Sequence, residues 1–288
     1  QSDSTILKFV LLGFTVAFYI GALLAPDLNE IFSGFVRILT KPAVLTKDYF
    51  FLELGSISGS CLNAGIIGTI CCAMMFLPGM VATGTTVAAF FLTVGFCFYG
   101  MNPLNLLPVV LGVFVYSRIK RQPFANFVNF AMFSTALAPL ISEVLFRYPG
   151  TETHGITLLG VALALLIGVV TGCAMPALCA HSPGFHKGYD LYNAGPAAGF
   201  LCFLFFAVMY KTLGIEAPAI AATLGEGNWA FVNVFCIITF ALCVVAGFFL
   251  SGKSFKGYKK VLMESGHSVD FASKCGVGPC VMNVGFYG

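Results

Sequence analysis

One long segment without charged residues constrains this chain more than any other feature. Between Glu53 and Arg118 the sequence runs for 64 residues without Asp, Glu, Lys, Arg or His. As an α-helix this segment would extend about 96 Å, roughly three times the hydrocarbon thickness of a bilayer. Charged residues make up 9% of the whole chain, whereas soluble domains have about 25%. The sequence therefore predicts an all-α polytopic membrane protein.

Turn-forming residues divide the apolar sequence into segments. A membrane crossing needs about 20 apolar residues. Leu77-Pro78-Gly79 and Gly100-Met-Asn-Pro103 split the uncharged segment into three pieces, and the third is short and contains Pro108. About seven to eight membrane segments are predicted in all. They lie near residues 6–25, 54–77, 79–100, 104–117, 124–146, 155–179, 190–212 and 229–251.

Basic residues predict the orientation of these segments. The loops Arg118–Arg121 and Lys253–Lys260 are strongly basic, so the positive-inside rule assigns both to the cytoplasm. The loop that holds Arg37 is assigned to the same side. Two loops on one side require an even number of crossings between them, but three apolar pieces separate Arg37 from Arg118. We therefore expect at least one re-entrant or broken helix, which is tolerated where protein or water satisfies its backbone.

An internal repeat indicates how the chain is built. Asn63-Ala-Gly-Ile-Ile-Gly68 recurs as Asn283-Val-Gly-Phe-Tyr-Gly288, and Gly34–Leu39 aligns with Gly257–Leu262. This pattern predicts a tandem duplication. The first membrane repeat is assigned to residues 1–256, with the span 229–251 already opening the second copy. The incomplete start of the second repeat then covers 257–288. Duplicated apolar chains are typical of transporters.

Asparagine and glycine clusters are the candidates for a solute site. Broken helices of transporters place small and polar residues near the bilayer midplane, where helix N-termini face the solute. The alternative interpretation is close helix packing, which uses the same residue types. Asn102 and Asn105, flanked by Pro103 and Pro108, also predict a broken helix. The candidate substrate-binding residues are Ser58, Ser60, Asn63, Gly65, Asn102, Asn105, Asn193, Gly195, Asn283 and Gly285.

Three acidic residues near the ends of spans are candidates for coupling or gating. Asp48 precedes the Asn63 motif, Asp190 precedes Asn193, and Asp270 precedes Asn283. Carboxylates at such positions relay protons or bind cations in many transporters, so coupling to H⁺ or Na⁺ is the expectation. The alternative is a solvated loop at the membrane interface.

Several classes of function lack support in the sequence. The 11 cysteines are odd in number, lie mostly within apolar segments, and show neither a disulfide framework nor zinc spacing. Nucleotide-binding, zinc-protease and serine-hydrolase motifs are missing from the 288 residues. We therefore predict no catalytic residue, no metal site and no cofactor. The basic loops are short and offer nucleic acid nothing to bind.

Three segments together resemble a known family. They are Asp48–Gly68, Gly100–Gly112 and Phe185–Gly195. The chain is similar in these segments to an uncharacterised bacterial family of polytopic membrane proteins with a duplicated domain of unknown function. The resemblance implies a multi-pass protein of the bacterial inner membrane with a second half beyond Gly288. It implies neither a substrate nor a catalytic residue.

The favoured function is a transporter or channel-like protein for a small polar or anionic solute. A neutral solute, or an anion held by helix N-termini, is consistent with the lack of basic residues within the spans. The predicted partners are the lipid bilayer and the solute, and a homo-oligomer is compatible with the sequence. A structural or regulatory subunit that transports nothing is the first alternative. An intramembrane enzyme is less favoured because residues 54–117 hold no ionisable cluster of the kind that catalysis needs.

Overall fold

The computed structural model describes residues 2–42, 48–189, 192–217, 229–267 and 269–287, and the secondary structure of these residues is entirely helical. Short 3₁₀ turns and one π-helical turn, Ala207–Thr212, supplement the α-helices. The α-helices are α1 Ser2–Leu24, α2 Ile31–Thr40, α3 Ile57–Met75, α4 Gly84–Phe96, α5 Pro103–Ile119, α6 Val128–Ser134, α7 Pro139–Phe146, α8 Leu158–His181, α9 Pro183–His186, α10 Ala194–Phe206, α11 Trp229–Leu250, α12 Lys256–Met263, α13 Phe271–Cys275 and α14 Val277–Tyr287.

Among the described residues, five helices are long and apolar enough to cross a membrane. They are Asp3–Leu24, Ile57–Met75, Leu158–His186, Ala194–Thr212 and Trp229–Leu250. A sixth span results if the bent pair Phe124–Leu137 and Pro139–Phe146 counts as one. The structure thus indicates a helical membrane protein with five to six candidate spans, and the predicted seven to eight membrane segments are not confirmed. The difference lies in α4 and α5, which are shorter apolar helices.

One broken helix lies where the sequence predicts a continuous span. The segment predicted over 124–146 bends by 43° between Leu137 and Pro139. The helix first tightens to a 3₁₀ turn at Thr135–Leu137, and Pro139 has no backbone N–H to continue the hydrogen-bond ladder.

Close glycine contacts join the helices in pairs. In the antiparallel pair of α1 and α3, a Cβ atom on Gly65 would lie 2.9 Å from the Tyr19 ring, and one on Gly68 would lie 2.7 Å from the Thr15 hydroxyl. A similar antiparallel contact joins α11 to α14, where a Cβ on Gly247 would lie 2.8 Å from the Gly278 carbonyl oxygen. Without side chains at these positions the backbones approach closely, which favours membrane helix association.

Helix directions separate the two ends of the bundle. Helix α4 runs parallel to α1, as the ring pairs Phe14–Phe91 and Phe18–Phe98 show. Helix α3 is antiparallel to α1, and α5 returns from the end of α4 alongside α8. Because α3, α4 and α5 alternate in direction, Arg37 lies at the opposite end from Arg118. The predicted placement of both on one side is therefore not supported.

We call the end that holds Arg118 the basic end. Bases outnumber acids at this end, and acids outnumber bases at the opposite end. Among the described residues the basic end holds Lys8, Arg118, Lys120, Arg121, Lys187, Lys253, Lys256, Lys259, Lys260 and Lys274, with Asp3, Glu264 and Asp270. The opposite end holds Arg37, Lys41, Arg147 and Lys211, with Asp27, Glu30, Asp48, Glu53, Glu143, Glu152 and Glu216.

Candidate functional site

A cavity of about 710 Å³ lies at the basic end of the bundle. Its walls come from α1, α4, α12, α13 and α14, and from Pro183, Gly188, Tyr192 and Asn193. Leu11, Phe14 and Phe91 form part of an apolar wall. The polar lining residues include Thr85, Tyr192, Asn193, Glu264, Asp270 and Asn283. An apolar enclosure with a few converging polar groups is the usual form of a small-molecule site.

Asp270 fixes one wall of the cavity. Its Oδ1 atom accepts hydrogen bonds from the backbone N–H groups of Ala272 at 3.0 Å and Ser273 at 3.1 Å, which caps α13. Its Oδ2 atom accepts from the N–H of Gly84 at 3.2 Å, at the first turn of α4. A carboxylate is favoured at a helix N-terminus because the unpaired N–H groups carry partial positive charge. Asp270 thus connects α4 to α13 and lines the cavity.

Two of the predicted asparagines line the cavity with Asp270. Asn193 starts α10 in the left-handed conformation, with φ of 62°, and its carbonyl oxygen accepts a hydrogen bond of 2.8 Å from the Ser182 hydroxyl. Asn283 lies on the cavity side of α14. Neither side-chain amide is hydrogen-bonded to another of the described residues. Both residues contribute to the lining of the cavity.

The charge of the cavity lining is negative. Asp270 and Glu264 line the cavity, whereas its described lining residues include no Lys, Arg or His. Lys274 pairs with Glu264 at 2.7 Å from outside the lining. Burial and the nearby Asp270 carboxylate raise the pKa of Tyr192. The side chains of the cavity offer a cation or a neutral polar group more favourable contacts than an anion.

A contact between two loops lies at the edge of the cavity. His267 Nε2 is 3.1 Å from the carbonyl oxygen of Lys187, and the ring of Tyr189 meets the His267 ring edge-on at 5.6 Å. The neighbouring residues Gly188 and Glu264 line the cavity. This contact therefore joins the segment before α10 to the segment before α13.

The other three candidate asparagines lie in a separate cluster, which we call the asparagine network: Asn63, Asn102 and Asn105. Asn63 is fully buried in α3, and its Nδ2 donates to the carbonyl oxygens of Cys97 at 2.9 Å and Met101 at 2.8 Å. These carbonyls belong to the turn between α4 and α5. The network does not line the cavity.

Asn102 and Asn105 hold the same turn from the α5 side. Asn102 caps α5, and its Nδ2 donates to the carbonyl oxygen of Ile38 at 3.1 Å. Asn105 Nδ2 donates to the carbonyl oxygen of Gly100 at 2.8 Å and to the Ser142 hydroxyl at 2.9 Å. The network therefore ties the α4–α5 turn to α2, α3 and α7, and satisfies backbone groups that water cannot reach.

The remaining small residues of the Asn63 motif make packing contacts. Ser58 donates from its hydroxyl to the carbonyl oxygen of Asp27 at 2.8 Å, and Ser60 donates to that of Tyr49 at 2.9 Å.

Gly65 packs on α1. Gly285, in the second copy of the motif, packs on α11, where a Cβ would lie 2.6 Å from the Val244 nitrogen. Gly195 is exposed at the start of α10 and lies beside the main cavity lining rather than in it.

Asp48 is distant from the cavity, and Asp190 lies outside the described residues. Asp48 is half-buried before α3, and its Oδ1 accepts a hydrogen bond of 3.0 Å from the Phe50 N–H. Burial raises the pKa of the Asp48 carboxyl, and the hydrogen bond from Phe50 opposes this effect. Of the three coupling candidates, Asp270 is the one found in the cavity.

The raised pKa of Asp48 gives a pH-dependent prediction. The ionised carboxylate costs folding stability above its folded-state pKa, and this cost disappears below the unfolded-state value near 3.8. Asp48→Asn keeps the acceptor for Phe50 and removes the charge. We expect the variant to have a higher Tm than the parent at about pH 7 and an equal Tm at about pH 3, measured by thermal unfolding in detergent. A Tm difference that is independent of pH would contradict a raised pKa of the Asp48 carboxyl in the folded protein.

Several lining residues escaped the sequence analysis. Thr85, Tyr192, Glu264 and Cys280 line the cavity but were not candidates. A signal existed for Thr85, which belongs to the polar Thr83–Thr86 stretch at the start of an apolar segment. Glu264 and Cys280 have no comparable local signal. Among the described residues, groups of three or more His, Cys, Asp or Glu that could hold a metal ion are missing.

Comparison with known proteins identifies one family. A family model described as "Protein of unknown function (DUF1576)" matches residues 27–211. No curated protein and no solved structure matches the chain. The matched range includes the asparagine network and Asn193, and it ends before Asp270 and Asn283.

Proposed function

Because the chain belongs to the DUF1576 family, whose function is unknown, we propose a function from its own geometry: it is a membrane transporter or channel-like protein for a small polar solute. The observation that carries the proposal is the 710 Å³ cavity with the Asn193 amide, the Asn283 amide and the Asp270 carboxylate in its wall. A membrane protein that only packs against partners has no need of such a polar cavity.

The proposed solute is neutral or cationic rather than anionic. An anion would need basic side chains or free helix N-termini, yet Asp270 occupies the N-terminus of α4 and no described lining residue is basic. Asp270 is also the proposed coupling residue for H⁺ or Na⁺, because it is a carboxylate in the cavity wall.

The internal duplication is part of the same proposal. Helices α1, α2 and α3 follow one another as a long, a short and a glycine-rich helix, and α11, α12 and α14 have the same order. Equivalent contacts support the correspondence: a Cβ on Gly34 would collide with the Ser56 hydroxyl, and one on Gly257 would lie 2.6 Å from Pro279. Location in the bacterial inner membrane follows from the family resemblance and is likewise proposed.

A non-transporting subunit is the second candidate function. The observation in its favour is that Ser58, Ser60 and Asn63 all use their side chains to hold the fold. In that case the first copy of the motif is a packing element, and the cavity binds no solute.

Cys280 provides a test, because its side chain lies in the cavity wall. We expect water-soluble methanethiosulfonate reagents to modify Cys280 in the full chain, detected by peptide mass spectrometry. For each reagent, the rate at Cys280 is divided by the rate with a free thiol in solution. This ratio should be about threefold to tenfold larger for the trimethylammonium reagent than for the sulfonate reagent, because the lining is acidic. Asp270→Asn should bring the two relative rates close together.

Cys202 is the matched control for labelling. Its side chain is more exposed than that of Cys280 but lies on the apolar candidate span α10, so lipid should protect it from both reagents. Burial raises the pKa of the Cys280 thiol to about 12, so the labelling is done at alkaline pH; lack of reaction at Cys280 under these conditions would contradict an accessible cavity. A solute that raises Tm should then be tested for flux into proteoliposomes, where Asn193→Ala/Asn283→Ala should reduce the rate. Labelled Cys280 without any solute that binds would favour the non-transporting subunit.

A further inference from the structure

Helix α12 lies at the basic end of a strongly lipid-exposed span. Helix α11 is long and apolar enough to span a membrane, and only 6% of its most apolar stretch is buried in the protein. It ends at Leu250, and α12 follows after five residues, at Lys256. The ring of Phe255 packs 4.9 Å from that of Phe248, which holds the start of α12 against the end of the span. This position corresponds to the boundary between hydrocarbon and lipid headgroups.

Four lysines on and before α12 are exposed and without acidic partners. They are Lys253, Lys256, Lys259 and Lys260. None of the four forms an ion pair with a described acidic side chain. At the opposite end of the bundle, by contrast, Arg37 pairs with Glu30 at 2.9 Å and Arg147 with Glu143 at 3.6 Å. The positive charge around α12 is therefore not neutralised within the described part of the chain.

Exposed apolar side chains accompany these lysines. Phe255 is 54% exposed and Met263 is 77% exposed, and neither lines the cavity. Val261, on the opposite side of the helix, is buried and lines the cavity. Long lysine side chains can hold their ammonium groups among the lipid headgroups while neighbouring apolar side chains insert among the lipids.

We infer that α12 and its four lysines bind the phosphate headgroups of anionic phospholipids at the basic end of the bundle. The phosphates neutralise Lys253, Lys256, Lys259 and Lys260, while Phe255 and Met263 contact the upper part of the acyl chains. Because Val261 lines the cavity, the bound lipids lie on the outer side of a cavity wall. The inference rests on α12 and does not require the proposed transport.

Native mass spectrometry of the full chain in detergent tests the inference, with phosphatidylglycerol and phosphatidylcholine as probes. The parent should bind phosphatidylglycerol in preference to phosphatidylcholine. Lys259→Gln/Lys260→Gln should weaken phosphatidylglycerol binding by about fivefold for each lysine, roughly 25-fold in total. Lys259→Arg/Lys260→Arg should retain the binding, because the positive charges remain.

Lys41→Gln/Lys211→Gln is the matched control, since it removes two positive charges from the opposite end of the bundle. It should leave phosphatidylglycerol binding unchanged within about twofold. Equal losses in the two glutamine variants would overturn the inference, as would equal affinity of the parent for both lipids. Inorganic phosphate at millimolar concentration should not displace the lipid; complete displacement would show a site for free phosphate instead. Unchanged gel-filtration profiles exclude misfolding of the variants.

Discussion

Asn63→Ala is expected to lower the free energy of unfolding by about 2–4 kcal/mol. Of the substitutions that we predict, this one has the largest effect on stability, followed by Gly172→Ala. The side-chain amide donates to two carbonyl oxygens of the α4–α5 turn, and Asn63 is fully buried. Alanine would leave both carbonyls unsatisfied at a depth without water, at about 1–3 kcal/mol for each buried group. Unfolding in sodium dodecyl sulfate, followed by circular dichroism, measures the difference.

Asn283→Ala is the control for this prediction, because both asparagines begin the pattern Asn-x-Gly-x-x-Gly. Asn283 is only partly buried, and its amide is not hydrogen-bonded to another described residue. Its replacement should change the free energy of unfolding by less than about 0.5 kcal/mol. Equal destabilisation by Asn63→Ala and Asn283→Ala would contradict the different roles that we assign to them.

Gly172→Ala is expected to cost about 2–3 kcal/mol through a steric collision between α5 and α8. A Cβ atom on Gly172 would collide with the Val109 carbonyl oxygen and would lie 2.6 Å from the Val113 nitrogen and 2.8 Å from the Gly112 Cα. All three are backbone atoms, so rotation of a side chain cannot relieve the contact. The two helices would have to separate and lose dispersion contacts along their interface. The same unfolding measurement applies.

Gly13→Ala separates this collision from the general effect of adding a methyl group to a membrane helix. Gly13 lies within α1, and a Cβ there would meet no atom within 4 Å. We expect this variant to be neutral or slightly stabilised, by up to about 1 kcal/mol, because alanine is the better helix former. Loss of stability in Gly13→Ala comparable to that in Gly172→Ala would show that the α5–α8 contact is not the cause.

The spans were the most predictable part of the fold. The predicted segments 54–77 and 229–251 correspond to α3 and α11, because a long apolar segment must form a helix where water is absent. The bend before Pro139 was not predicted, although the proline is visible in the sequence. Prolines are tolerated within membrane helices, as Pro108 in α5 and Pro176 in α8 illustrate, so a proline alone does not identify a break.

The orientation of the Arg37 loop shows a limit of counting charges. Arg37 is basic, and the rule for Lys and Arg assigned it to the cytoplasm. In the structure it donates to the Gly55 carbonyl oxygen at 2.7 Å and pairs with Glu30. The alternating directions of α3, α4 and α5 place Arg37 and Arg118 at opposite ends of the bundle, so the rule cannot hold for both loops.

The candidate site was predicted only in part. The Asn-x-Gly pattern selected polar residues of two kinds, because it could not distinguish those that hold the fold from those that line the cavity. Asn63 and Asn283 share the pattern Asn-x-Gly-x-x-Gly and differ in their neighbours: the α4–α5 turn packs on Asn63, whereas the cavity lies beside Asn283. This difference arises from packing between segments that are distant in the chain.

The sequence by itself determined that the chain is helical and apolar and where most of its candidate spans lie, because these properties depend on the solvation of each segment alone. Only the tertiary structure decided which polar groups meet. Asp270 reaches the N–H of Gly84 across 186 residues of sequence, and this contact forms a wall of the cavity. No local pattern specifies such a partner, because it depends on how the whole bundle packs.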